Sequence, residues 1–158
     1  MTNAAEDLVR RYFLEHVNQR NLDAVEMTVA ALYAEHAAAP FTQSEPGVVD
    51  GPAATRDTVR WLVGQFPDLH FTIEALVSQG DTVAVRVLAE GTNLGPIGAI
   101  PPTGRRFSSR SSHWFRVCGD RLVEHWATRD DLTSMLQLGV LRAPGPAPGL
   151  PQTVPRQR

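Results

Sequence analysis

A single cysteine, Cys118, stands in a chain of 158 residues, so no internal disulfide can form and a zinc site would have to rely on histidines and carboxylates. Charge of one sign is lacking too. The formal net charge is −2 and the pI about 6.2, which leaves no basic stripe for a nucleic acid or an anionic membrane surface. No apolar run approaches the ~20 residues of a membrane span, and the polar stretch from Met1 to Asp7 has no apolar signal core. These absences predict a soluble, cytoplasmic protein that is not exported. The common chemical signatures are also missing: no His-x-x-x-His pair or Glu-rich helix face for a metal, no glycine-rich loop ending in Lys-Ser/Thr for phosphate, no Gly-x-Ser-x-Gly for a serine hydrolase. What stays open is acid–base chemistry carried by side chains alone, with no metal and no cofactor expected.

The length suits one domain with one hydrophobic core. Asn3 or Thr2 can cap a first helix, about 4 to 19, whose Glu6 and Asp7 suit the dipole at its start and whose Leu8, Tyr12, Phe13 and Val17 recur at helical spacing. Asn21 then caps a second predicted helix running to about Glu35, with Leu22, Val25, Met27, Val29, Leu32 and Tyr33 on its buried side. Ala37 to Gly51 reads as a loop long enough to act as a rim or lid, with one extended piece at Val48-Val49. A third helix spans about 52 to 65 and ends before Pro67. From His70 to Asp130 the pattern is strand, turn, strand, long loop, strand, turn, strand, with tight hairpins at Gly80-Asp81 and Gly119-Asp120. Asp130 or Asp131 caps a last short helix, Leu132 to Leu138. The domain is thus predicted over 1–142, followed by a proline- and glycine-rich tail, 143–158, that is too poor in large apolar residues to order itself.

Helices followed by a curved, mostly antiparallel sheet make an α+β domain, with the sheet wrapped around the N-terminal helices and a pocket between the two layers. His113 lies mid-strand, sharing its face with Ser109, Ser111, Phe115 and Val117, and an imidazole there can donate to or accept from a carbonyl oxygen near neutral pH. What faces it depends on the Gly119-Asp120 turn. A two-residue turn sets His113 opposite Trp126 and puts Glu124 and Asp130 on its face. A three-residue turn with a bulge faces it with His125 and turns Ala127 inward. Both registers fit the sequence. Asp130 also reads as a helix cap, and Glu124 as a cross-strand partner of Arg116 or Arg86.

Phe66-Pro67-Asp68-Leu69-His70-Phe71, Gly91-Thr92, Pro101-Pro102-Thr103-Gly104-Arg105, Phe115-Arg116-Val117, Glu124-His125-Trp126 and Gln137-Leu138-Gly139 fall in an order and spacing that resembles the SnoaL-like polyketide cyclases. The likeness covers about Asp7 to Leu141. It implies the cone-shaped α+β barrel shared with nuclear transport factor 2, ketosteroid isomerase and scytalone dehydratase. It also implies a cofactor-independent cyclase or isomerase of secondary metabolism acting on an apolar polyketide-like intermediate handed on by a polyketide synthase. Hydration, dehydration or epoxide opening on the same fold, or non-catalytic binding of a small molecule, are the alternatives. Two positions depart from the family pattern: Asn93 follows Gly91-Thr92 where many relatives have His, and Ala127 follows Trp126 where cyclases commonly place an acid. The family's aldol mechanism, with an Asp as base, therefore does not carry over residue by residue. His36 falls near where ketosteroid isomerase-like relatives carry an acidic base. The candidate catalytic set is His113, His36, Asp130 and Glu124; the candidate substrate-binding set is Tyr12, Tyr33, Trp61, Phe66, Asn93, Phe115 and Trp126. A homodimer is expected through the outer sheet face, where Trp114, Leu76 and Leu88 would form an exposed apolar patch.

Overall fold

A computed structural model describes residues 3–37 and 46–145. Residues 38–45 of the loop expected over Ala37 to Gly51, the alternative cap at Thr2 and the tail beyond Gly145 lie outside the described residues. Asn3 caps α1 (Ala4–Arg11), its side-chain oxygen accepting from the Ala5 amide at 3.1 Å. The helix runs on into a π-helical stretch, Tyr12–Asn18. Together they fill the predicted first helix, and the wider turns carry Tyr12, Phe13 and Val17 onto the cavity wall.

The second predicted helix is corrected. Residues 21–35 form a single 3-10 turn, Val25–Met27, and then β1 (Val29–Glu35). Val25, Val29 and Tyr33 are buried as expected, whereas Met27 and Leu32 are exposed; the buried three are four apart, an even spacing that satisfies a strand face as well as a helix face. Pairing decides between them: β1 lies antiparallel to β2 (Gly47–Asp50), the extended piece read at Val48-Val49, and parallel to β6 (Arg121–Arg129). The third predicted helix is present as α2 (Gly51–Gln65), with Asp50 accepting from the Ala53 amide at 3.1 Å.

The predicted four-strand meander follows: β3 (His70–Gln79), β4 (Thr82–Thr92), β5 (Arg106–Cys118) and β6. Gln79 pairs with Thr82 and Cys118 with Arg121, so both turns have two residues. Gly80 and Gly119 open them at φ 60°, the left-handed region where a side chain is strained. The full sheet has six strands in the order β2-β1-β6-β5-β4-β3, only β1 and β6 being parallel, and it remains open between β2 and β3. α1 and the π-helical stretch pack into the concave face over β3 and β4, α2 lies against β1, and α3 (Asp131–Gln137) lies against β5. Two apolar clusters result. One gathers Val9, Phe13, Val25, Tyr33, Val85 and Phe115, the other Val59, Phe66, Leu69, Phe107 and Leu138.

Two bulges set which side chains face inward. In β3 the register slips at Glu74, between Ile73↔Val87 and Ala75↔Arg86. Leu76 therefore turns inward against the core, and Val77 takes its place on the outer face, a correction to the expected patch. In β6 the register slips at Val123, between Val117↔Leu122 and Arg116↔Glu124. Among the described residues no helix is long and apolar enough to cross a membrane.

Candidate active site

Between the helices and the concave face of the sheet lies a cavity. It is walled by apolar side chains of the first helix, of α2 and of β3, among them Phe13, Val59, Leu62, Phe66 and Phe71, with polar groups concentrated on β1, β5 and β6. The two-residue turn and the Val123 bulge together yield a register that neither sequence alternative described. His113 faces Ala127, Phe115 faces His125 and Ser111 faces Arg129, so His113, His125 and Ala127 point inward and Trp126 outward. The parallel pairing of β1 with β6 sets Glu35 beside His125.

These residues form one hydrogen-bonded row. A Glu35 carboxylate oxygen lies 2.9 Å from His125 Nδ1, His125 Nε2 lies 2.9 Å from His113 Nδ1, and His113 Nε2 lies 2.9 Å from Ser111 Oγ. A carboxylate only accepts, so His125 Nδ1 carries hydrogen. With both rings neutral, His125 Nε2 accepts from His113 Nδ1–H, and the bare His113 Nε2 accepts the Ser111 hydroxyl proton. Glu35 is itself held by the Ala37 amide at 2.7 Å. Phe13 meets His113 edge-on at 5.2 Å, and Phe115 stacks on His125 at 4.6 Å. Burial in this apolar setting, reinforced by His125 and Arg129, holds the His113 pKa well below the ordinary histidine value. Burial thus favours the neutral ring, whose Nε2 is left as a hydrogen-bond acceptor.

Two tyrosines sit at the same end of the cavity. Burial and the nearby Glu35 charge raise the Tyr12 phenol, while a hydrogen bond with Thr55 acts the other way. Tyr33 is raised well above the ordinary tyrosine value by burial, Tyr12 and Glu35. Elsewhere on the wall Arg129 pairs with Asp131 at 3.1 Å and the Ser109 and Ser134 hydroxyls lie 2.7 Å apart.

Of the residues singled out from sequence, the cavity brings together His113, Tyr12, Tyr33 and Phe66. Phe115 is buried one layer behind, against His125 and Tyr12. The others lie off the cavity. His36 is just past the end of a strand instead of at a helix end; it stacks on Trp126 at 4.9 Å and reaches Glu124 at 2.9 Å on the outer face. Glu124 also pairs with Arg116 directly across the sheet. Asp130 caps α3, accepting from the Thr133 amide at 3.0 Å. Trp61, on α2, is not among the cavity-lining residues. Asn93 is fully buried but turned into its own loop, donating to the Gly95 carbonyl at 2.7 Å and accepting from the Thr103 amide at 2.8 Å. Sequence reasoning missed Glu35, read as a helix end, whereas the inward turn of His125 and Ala127 beside His113 was one of its two register alternatives. The register itself turns on the Val123 bulge, which no residue type announces, and Glu35 was hidden by the strand β1 that local spacing did not reveal. Among the described residues no group of three or more His, Cys, Asp or Glu is arranged to hold a metal ion.

An open sheet curled over helices, with a largely apolar cavity and a buried row of acid–base groups, defines a small-molecule site in a cone-shaped α+β domain. The family model of the SnoaL-like polyketide cyclases matches residues 7–138, and the chain belongs to that family. It is similar to aklanonic acid methyl ester cyclase DauD of Streptomyces sp. (strain C5), 29% identical over 143 residues that cover 90% of this chain and 84% of the relative. Nogalonic acid methyl ester cyclase of Streptomyces nogalater is 28% identical over 96 residues, 60% of this chain and 72% of the relative. The structure of TsrD from Streptomyces laurentii superimposes with a TM-score of 0.74 at 26% identity, covering 89% of this chain and 99% of that one.

Proposed function

We infer that the protein is a cofactor-independent cyclase that closes a ring on a polyketide-derived ester of the kind its relatives' names describe, with His113 as the base. The observation that carries this reading is the hydrogen-bonded row Ser111–His113–His125–Glu35 along the cavity wall, with burial favouring the neutral His113 ring. When substrate enters, the Ser111 hydroxyl rotates away and a C–H next to a carbonyl takes its place. His113 Nε2 takes that proton, and the resulting enolate carbon attacks a second carbonyl of the same molecule. A C–C bond forms, and the proton returns to the new alkoxide oxygen, so the count closes without a cofactor.

Glu35 and His125 are positioning residues in this scheme. They fix the tautomer that bares Nε2, and the charge gained by His113 can be shared along the row when Nδ1–H moves to His125 Nε2 beside the Glu35 carboxylate. The chain contains no lysine, so no Schiff base with the substrate carbonyl enters the scheme.

The test is turnover of aklanonic acid methyl ester followed by chromatography. His113→Gln should lower the rate roughly a hundredfold or more, whereas His36→Ala, altered on the outer face, should leave it near wild type. Wild-type turnover by His113→Gln, together with loss of activity on filling the cavity by Thr58→Trp, would mean that the cavity works by shaping its substrate without proton transfer.

A further inference from the structure

Among the described residues, one cavity-lining side chain ends in a polar atom without a partner. The Tyr33 side chain lines the cavity, and its hydroxyl, closed off from solvent behind that wall, finds no hydrogen-bond partner among the described residues. Its neighbours are engaged elsewhere: the Tyr12 hydroxyl interacts with Thr55, and the Glu35 carboxylate accepts from His125 and the Ala37 amide. A buried hydroxyl without a partner is costly, and phenylalanine would pack the same ring without that cost.

We propose that Tyr33 is a second catalytic residue, the donor that receives the substrate carbonyl oxygen next to the carbon deprotonated by His113. This deepens the cyclase reading and rests on it. As the C–H proton leaves for His113 Nε2, the electron pair moves onto that oxygen, and a phenolic O–H turned to it stabilises the growing charge within a largely apolar lining. Burial beside Tyr12 and Glu35 keeps the phenol protonated, so it stays a donor across the neutral range. Donor and base thus come from different strands, β1 and β5, and a ligand must present a ketone or ester oxygen beside an acidic C–H to use both.

The experiment uses the full chain and 2-tetralone, a small ketone with acidic C–H bonds, against tetralin, its counterpart without the carbonyl. Wild type should bind the ketone about tenfold or more tightly and speed its exchange of hydrogen for deuterium above the buffer rate. Tyr33→Phe should abolish that preference and slow the exchange roughly a hundredfold, while the melting temperature without ligand stays level or rises. His113→Gln should keep the preference and lose the exchange. If Tyr33→Phe loses the preference although wild type catalyses no exchange, the donor assignment stands and the base assignment fails. If wild type shows no preference for the ketone, or Tyr33→Phe retains it, the donor assignment is overturned; continued exchange in those cases leaves His113 as base intact.

Discussion

Burial decides the charge of His113, and that has a consequence for stability. The folded ring resists protonation, its pKa held well below 6.5 by burial first and then by His125 and Arg129, whereas the unfolded chain takes up the proton near that value. Between the two, the unfolded state binds more protons, so stability falls as pH falls. His16 acts in the same direction: it is buried between the Asn21 carbonyl at 2.7 Å and the Thr28 hydroxyl at 2.8 Å, and desolvation lowers its pKa. Urea unfolding should therefore give a stability nearly level from about pH 8 to 7 and lower by about 1 kcal/mol or more at about pH 5.5, in the range governed by histidines and above that of the carboxylates. A level profile down to that pH would show that His113 is charged in the fold. Residue types were legible at this scale. His113 announced itself as a polar ring in an apolar strand, but Asn93, Glu124 and Asp130 have the same chemistry whether they serve a ligand or hold the backbone, and only their partners separate the two.

The length of the long loop from β4 to β5 serves attachment. The Leu94 and Gly95 amides both donate to the Gln65 carbonyl, at 2.9 and 3.1 Å, while Asn93 exchanges backbone hydrogen bonds with Gly104 and Arg105. The loop is thereby fastened to the end of α2, whose Ala54, Thr55, Thr58, Val59 and Leu62 wall the cavity. A side chain at Gly95 would overlap the Gly64 carbonyl oxygen, which is backbone and has little room to yield. Gly95→Ala should cost about 1–3 kcal/mol and lower the melting temperature by several degrees in a thermal scan; an unchanged midpoint would show that the loop docks loosely. Strands β3 to β6 and helices α1 to α3 could be read because their periods and turn residues agree. β1 could not, since its apolar spacing fits two periods and its partner β6 lies almost a hundred residues away. Long-range pairing overrode local preference there, and Glu35 was hidden with it.

For the molecule as a whole, the outer sheet face carries Trp114 at 50% and Trp126 at 37% exposure, with Val77 at 65%. We expect a second copy of the chain to cover it, since solvated tryptophans in one patch are unfavourable on a monomer. Light scattering at micromolar concentration should return twice the chain mass, and Trp114→Arg should shift it to one. A monomer mass for wild type would refute the expectation. The Val123 bulge governs both sides of this sheet at once. Each strand is a sequence of odd and even places, and the extra residue in β6 changes the parity of everything after it. With it, His125, Ala127 and Arg129 belong to the interior and Glu124, Trp126 and Thr128 to the exterior. Without it, the two rows would trade sides together, so the buried base row and the aromatic outer face share a single point of control and cannot be altered there one at a time.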